Sequence, residues 1–165
     1  NSSKYDSYRE AWSRIQLAQE NGCFLEAITI QESIIADRLI SYLSRPTASN
    51  PLSQRNNGQF PLFHELIRQW RSEFPDALPS GTYSDLIGAV NEWRSIRNES
   101  IHAIVKSAPS QLTQTIDLFL HKAKDAAERG ELLAREVCNW CQKEKRKESQ
   151  ISKNTIRKTT TGHHS

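Results

Sequence analysis

Residues 82–106 read TYSDLIGAVNEWRSIRNESIHAIVK, and this stretch decides what kind of fold the chain builds. Leu86, Ala89, Val90, Trp93, Ile96, Ser100 and Ile104 recur at intervals of three and four, the period that places side chains on one stripe of an α-helix. Thr82 offers a capping hydroxyl, and Asp85 three residues later sets a carboxylate against the free amides of the first turn. The stretch therefore predicts an amphipathic helix running to about Lys106, with a core-facing stripe and a polar flank.

The same period appears on both sides of it. A helix is expected from about Tyr5, with Tyr5, Tyr8, Trp12 and Ile15 on one face and Asn21-Gly22 as its stop. Phe24 to Ser44 carries Phe24, Ile28, Ile35, Leu39 and Tyr42 or Leu43, and Pro46 bounds it. Residues 45–59 lack any period and are rich in turn formers, which predicts a loop. Pro61 opens a short helix with Leu62, Leu66, Ile67 and Trp70, and Pro75 closes it. Pro109 begins a last long helix through Leu112, Ile116, Phe119, Ala123, Leu133, Val137 and Trp140, with Gly130 expected to bend it. The reading is an all-α, up-and-down bundle of about five helices over residues 1–148. A flexible basic C-terminal tail is expected over 149–165, where no apolar period survives. Six glycines and six prolines gather in a few places instead of recurring every strand length, which argues against a sandwich or barrel.

At 165 residues the chain is one ordinary domain, and 36% hydrophobic against 25% charged residues is enough to build a core. No apolar run reaches the ~18 residues of a membrane helix and no basic-then-apolar leader opens the chain, so a cytoplasmic protein with no membrane association is expected. Cys23, Cys138 and Cys141 have no framework spacing and read as free thiols of a reducing compartment. Seven basic and two acidic side chains in 143–165 put +5 there, leaving −2 for the rest of a chain whose total is +3.

The polar flank of the 82–106 helix carries the parts for chemistry. At 100° per residue, Arg97, Ile101, Arg94, Asn98 and His102 spread over about 140°, with Arg97 bordering the apolar stripe and His102 farthest from it. Arginine holds phosphate through a fork of donors and histidine moves a proton near neutral pH, a combination suited to phosphodiester chemistry. On composition alone the same residues describe a solvated helix face, with Arg94–Asn98 and Asn98–His102 as ordinary i, i+4 contacts. Cys138-Asn139-Trp140-Cys141 has a metal-binding spacing without a second pair, and its place in a helical stretch reads as packing, so no metal site is assigned. His64 and His121 read as surface or boundary residues, and Trp12, Trp70, Trp93 and Trp140 as core or dimer packing.

Arg97-Asn98-Glu99-Ser100-Ile101-His102 resembles the Arg-x4-6-His motif of the HEPN superfamily, including the polar residue that often follows the arginine. A second match runs from Arg157 to His163 or His164 in the tail. Only the first lies near the end of an amphipathic helix with three helices before it and a long one after, the layout of that superfamily's domains. The resemblance implies a metal-independent endoribonuclease with no cofactor, acting at a cleft that two protomers of a homodimer build together. Its setting would be bacterial defence, as a toxin or effector with an antitoxin or a larger defence complex as partner. By this resemblance His102 would assist attack of the RNA 2′-hydroxyl or protonate the leaving oxygen, Arg97 would hold the scissile phosphate, and Asn98 would orient the site. Arg94, Lys145, Arg146 and Lys147 are candidates to attract RNA phosphates. Asp37 or Glu32 would be an acidic helper from an earlier helix. The branch paired with a nucleotidyltransferase antitoxin has a tyrosine two residues after the histidine; this chain has Ile104, so that pairing is not carried over. The alternative is a non-catalytic HEPN-like helical module that binds nucleic acid, nucleotide or a protein partner.

Overall fold

The computed structural model describes residues 2–53, 58–102 and 116–160, with side chains in the last helix as far as Arg157. Five helices make up the described chain: α1 (Ser2–Glu20), α2 (Phe24–Leu43), α3 (Phe63–Glu73), α4 (Leu86–His102) and α5 (Ile116–Thr160). The fold is an all-α bundle, as the periodicity predicts. Ile104, Lys106, Pro109, Leu112 and the tail histidines lie outside the described residues.

Side-chain pairs fix the helix directions. Tyr8 meets Asp37 across α1 and α2, so these run antiparallel through the turn at Gly22, whose φ of 73° suits glycine. Gln31 reaches Ala127 while Arg45 reaches Glu148, which sets α2 parallel to α5. Ser80 bonds Glu136 while Trp93 bonds Ala126, which sets α4 antiparallel to α5. The four long helices thus alternate up and down along the chain, and α3 sits within the α2–α4 connection.

α2 and α5 form the centre. Ile28, Ile35, Leu39 and Leu43 of α2 face Ala127, Ala134 and Val137 of α5, all fully buried. At one end Trp140 packs within 4.7 Å of Tyr42, 5.1 Å of Trp70 and 5.4 Å of Phe74, ring centre to ring centre. Arg45 closes that end, pairing with Glu73 at 3.1 Å and Glu148 at 2.8 Å.

Gly130, expected to bend α5, is a contact point of that helix with α2 and α4: a Cβ there would lie 2.0 Å from Gln31 Oε1 and 2.7 Å from Trp93 Cζ2. Three expectations are corrected. The cap of α4 is Asp85, whose carboxylate accepts from the amides of Gly88 and Leu78; Thr82 lies outside the helix, in a tight turn closed by Ser80 and Tyr83. Tyr5, placed on the α1 core stripe, is 70% exposed. Finally, α5 continues helical to Thr160 instead of ending near Glu148, because no glycine or proline interrupts residues 131–161 and the charged side chains are good helix formers. Residues 149–157 are all exposed, so this extension is helix without a packing face.

Candidate functional site

The motif on α4 is set by a buried polar node one turn earlier. Trp93 Nε1 donates to Ala126 O and Gln31 Nε2 donates to Ala127 O, each at 2.8 Å, so α2 and α4 are pinned to the same turn of α5. One residue past Gln31 and one turn past Trp93, Glu32 pairs with Arg97 Nη2. Arg97 Nη1 donates to Asn98 Oδ1. Arg97 and Glu32 are 24% and 20% exposed, a half-buried pair at the border of the core. Burial pushes the guanidinium's pKa below its ordinary value, yet an arginine so paired stays charged at neutral pH. Asn98 Oδ1 takes one hydrogen of Nη1 and Glu32 faces Nη2 as the counter-charge, so the guanidinium keeps donors beyond the one that Asn98 takes.

His102 is exposed on the last described turn of α4, and among the described residues no hydrogen bond or ion pair holds it. Ile101 beside it is half-buried. Arg94 points elsewhere on the flank, into a cleft of about 370 Å³ between α3 and α4, where His64, Arg68 and Asn91 also lie.

The structure does not gather all of the candidate residues. Of the two acidic helpers, Glu32 reaches the motif. Asp37 lies five residues on, around the other side of α2, where Tyr8 and Lys4 engage it. Burial would raise the Asp37 carboxyl, but those two donors outweigh it and hold the pKa below 3.8. Lys145, Arg146 and Lys147 stand at the opposite end of the bundle: with α4 and α5 antiparallel, their separation from His102 along the helix axes is about 40 Å. There Lys145 meets Ser41 at 3.3 Å and Lys147 pairs with Glu144 at 2.8 Å. Within one chain this basic cluster and the motif are therefore separate features.

Cys138 and Cys141 pack in α5 against Arg38, and burial raises both thiols, Cys141 to about 12. They are packing residues at neutral pH. His121 sits 3.6 Å from Asp125 on the exposed face of α5, and exposed His64 lines the α3–α4 cleft. Trp70, Trp93 and Trp140 are core residues, whereas Trp12 lies half-buried under the Arg135 guanidinium. The α3–α4 cleft is the feature that sequence reading passes over. Arg68 and His64 sit one turn apart on α3, but only the α3–α4 packing shows that they face Arg94.

No family model matches the chain, and no curated protein or solved structure is significantly similar to it.

Proposed function

We propose that this chain is a metal-independent endoribonuclease of HEPN type, with Arg97 and His102 as its cleaving pair. The observation that carries the reading is the contrast between these two side chains. Arg97 is fixed by Glu32 and Asn98 with donors to spare, while His102 is exposed and held by nothing among the described residues. A structural pairing explains Arg97 alone; it gives His102 no task.

The chemistry follows from those positions. His102 accepts the proton of the RNA 2′-hydroxyl, whose oxygen forms a bond to the adjacent phosphorus as the bond to the 5′-oxygen breaks. The leaving oxygen takes a proton from a second imidazole, that of the partner protomer, and Arg97 neutralises the charge developing on the phosphoryl oxygens. The products are a 2′,3′-cyclic phosphate and a 5′-hydroxyl. A homodimer is supported by what lies at this end of the bundle. There Ile101 is half-buried, and α5 exposes Ile116, Leu118 and Leu120 at 76%, 45% and 42%. The setting in bacterial defence, with an antitoxin or larger complex as partner, rests on the motif's resemblance alone.

The test is incubation with single-stranded RNA in excess chelator, followed by analysis of product ends. Cyclic phosphate termini that disappear in His102→Ala support the proposal. RNA that is bound and left intact would instead assign the chain to the non-catalytic binding modules.

A further inference from the structure

The cleft between α3 and α4 lies outside the Arg97–His102 pair, yet it opens onto the same flank of α4. Three arginines line it (Arg68, Arg71 and Arg94) and its lining holds no carboxylate. Arg71 is committed to the fold, for it pairs with Asp85 and donates to the carbonyl of Asp76 at 2.7 Å. The other two are not. Arg68 is exposed, Arg94 is half-buried with its Nε buried and unbonded, and neither pairs with a carboxylate among the described residues. Two unneutralised guanidinium groups thus face one groove in a body whose charge outside the C-terminal segment is net negative.

Their spacing is that of a strand. Arg94, Asn98 and His102 follow one another at four-residue intervals along one side of α4, in steps of about 6 Å. This is comparable to the step between successive phosphates of an extended single strand. α3 runs antiparallel to α4 here, since Arg71 lies beside Asp85 while His64 shares the cleft with Arg94. That direction sets Arg68 beside Asn91, about one further step from Arg94. Apart from the imidazole of His64 no aromatic ring lines the cleft, so it offers no series of rings for successive bases to stack on.

We propose that the α3–α4 cleft is a phosphate track for single-stranded RNA, in which Arg94 and Arg68 hold the backbone about two and three nucleotides from the phosphate at His102. The track grips without reading sequence, because it contacts phosphates and not base edges. Its register rests on the cleavage reading above; its capacity to bind RNA does not.

The experiment separates the two. In the His102→Ala protein, binding of a fluorescein-labelled oligouridine of about a dozen nucleotides is followed by anisotropy across a salt series. Arg68→Ala and Arg94→Ala each weaken binding by about three- to tenfold and lower the log–log salt slope by about 0.7. Arg14→Ala on α1, far from the cleft, is the control for bulk charge. In the parent background Arg68→Ala raises KM by the same factor and leaves kcat unchanged. RNA binding that depends on Arg68 in a protein that never cleaves would end the ribonuclease reading and keep the track. Cleavage and binding both indifferent to Arg68→Ala, or a loss no greater than that of Arg14→Ala, would overturn the track and leave the ribonuclease reading standing.

Discussion

His102 and Arg97 sit five residues apart and respond to substitution for different physical reasons. His102 is exposed and unbonded among the described residues, so His102→Ala creates no cavity and is expected to leave the melting temperature unchanged. Cleavage should nonetheless fall ~10²- to 10⁴-fold, the usual scale for a lost general acid or base. A variant that cuts RNA at the parent rate removes His102 from the mechanism. Arg97 couples activity to stability through Glu32. Glu32→Ala leaves a half-buried guanidinium without its counter-charge and is expected to cost about 1–3 kcal/mol in denaturant unfolding. The double variant Glu32→Ala, Arg97→Met should recover part of that loss, since it removes the stranded charge as well. If the two substitutions add independently, the pair is not an energetic unit.

At the scale of the helices, Gly130 is a position of α5 with no room for a side chain. A methyl group there would meet Gln31 and Trp93, and neither can step aside without surrendering a hydrogen bond to the 126–127 carbonyls. Gly130→Ala is therefore expected to destabilise by about 1–3 kcal/mol. Gln31→Ala in the same chain should relieve part of the clash, and a Gly130→Ala protein as stable as the parent would show that the helices are not in close contact there. This position also marks what the sequence can and cannot reveal. Periodicity placed four of the five helices within a few residues of one end or both, because each buries one continuous stripe. Nothing in the linear order shows that a glycine amid charged residues is a contact point, since its role is defined by side chains from two other helices. Likewise Arg-x4-His was legible as a motif and Glu32 as one of two acidic candidates. The choice between Glu32 and Asp37 needed the α2–α4 packing, and the cleft facing Arg94 needed α3. The long end of α5 was misread for a related reason: loss of an apolar stripe ends burial, whereas ending a helix takes a breaker.

For the molecule as a whole, charge and shape divide along the bundle axis. Three of the carboxylates that bind its elements together carry a lowered pKa: Asp37 joins α1 to α2, Asp85 caps α4 and holds α3, and Glu131 links α5 to α1 through Gln19. In each, burial raises the pKa, but hydrogen bonds and positive neighbours outweigh it and the net shift is downward. A carboxylate with a lowered pKa in the folded state contributes stability that is complete above its ordinary value, 3.8 for the aspartates and 4.5 for Glu131, and is lost as pH falls below it. Unfolding free energy is thus expected to be flat in these groups from neutral pH to about 5 and to decline below about 4. Asp85→Asn should flatten that decline, whereas an unchanged acid limb would remove Asp85 from the linkage. The basic end behaves differently, because residues 149–157 are all exposed and none belongs to the core. Deleting 149–165 is expected to leave the melting temperature in place, and, with the motif about 40 Å away along the axes, to leave kcat unchanged. Only the salt dependence of RNA capture should weaken. The motif end carries the opposite expectation. If the cleft is completed by a second protomer, specific activity falls on dilution through the dimer dissociation range, and excess His102→Ala chains suppress the activity of the parent, because a mixed dimer holds one imidazole where the reaction uses two. A dilute monomer that cuts at the full rate, or a parent activity indifferent to excess His102→Ala chains at concentrations where dimers form, would place the whole reaction within one chain and leave the exposed Ile116, Leu118 and Leu120 without that role.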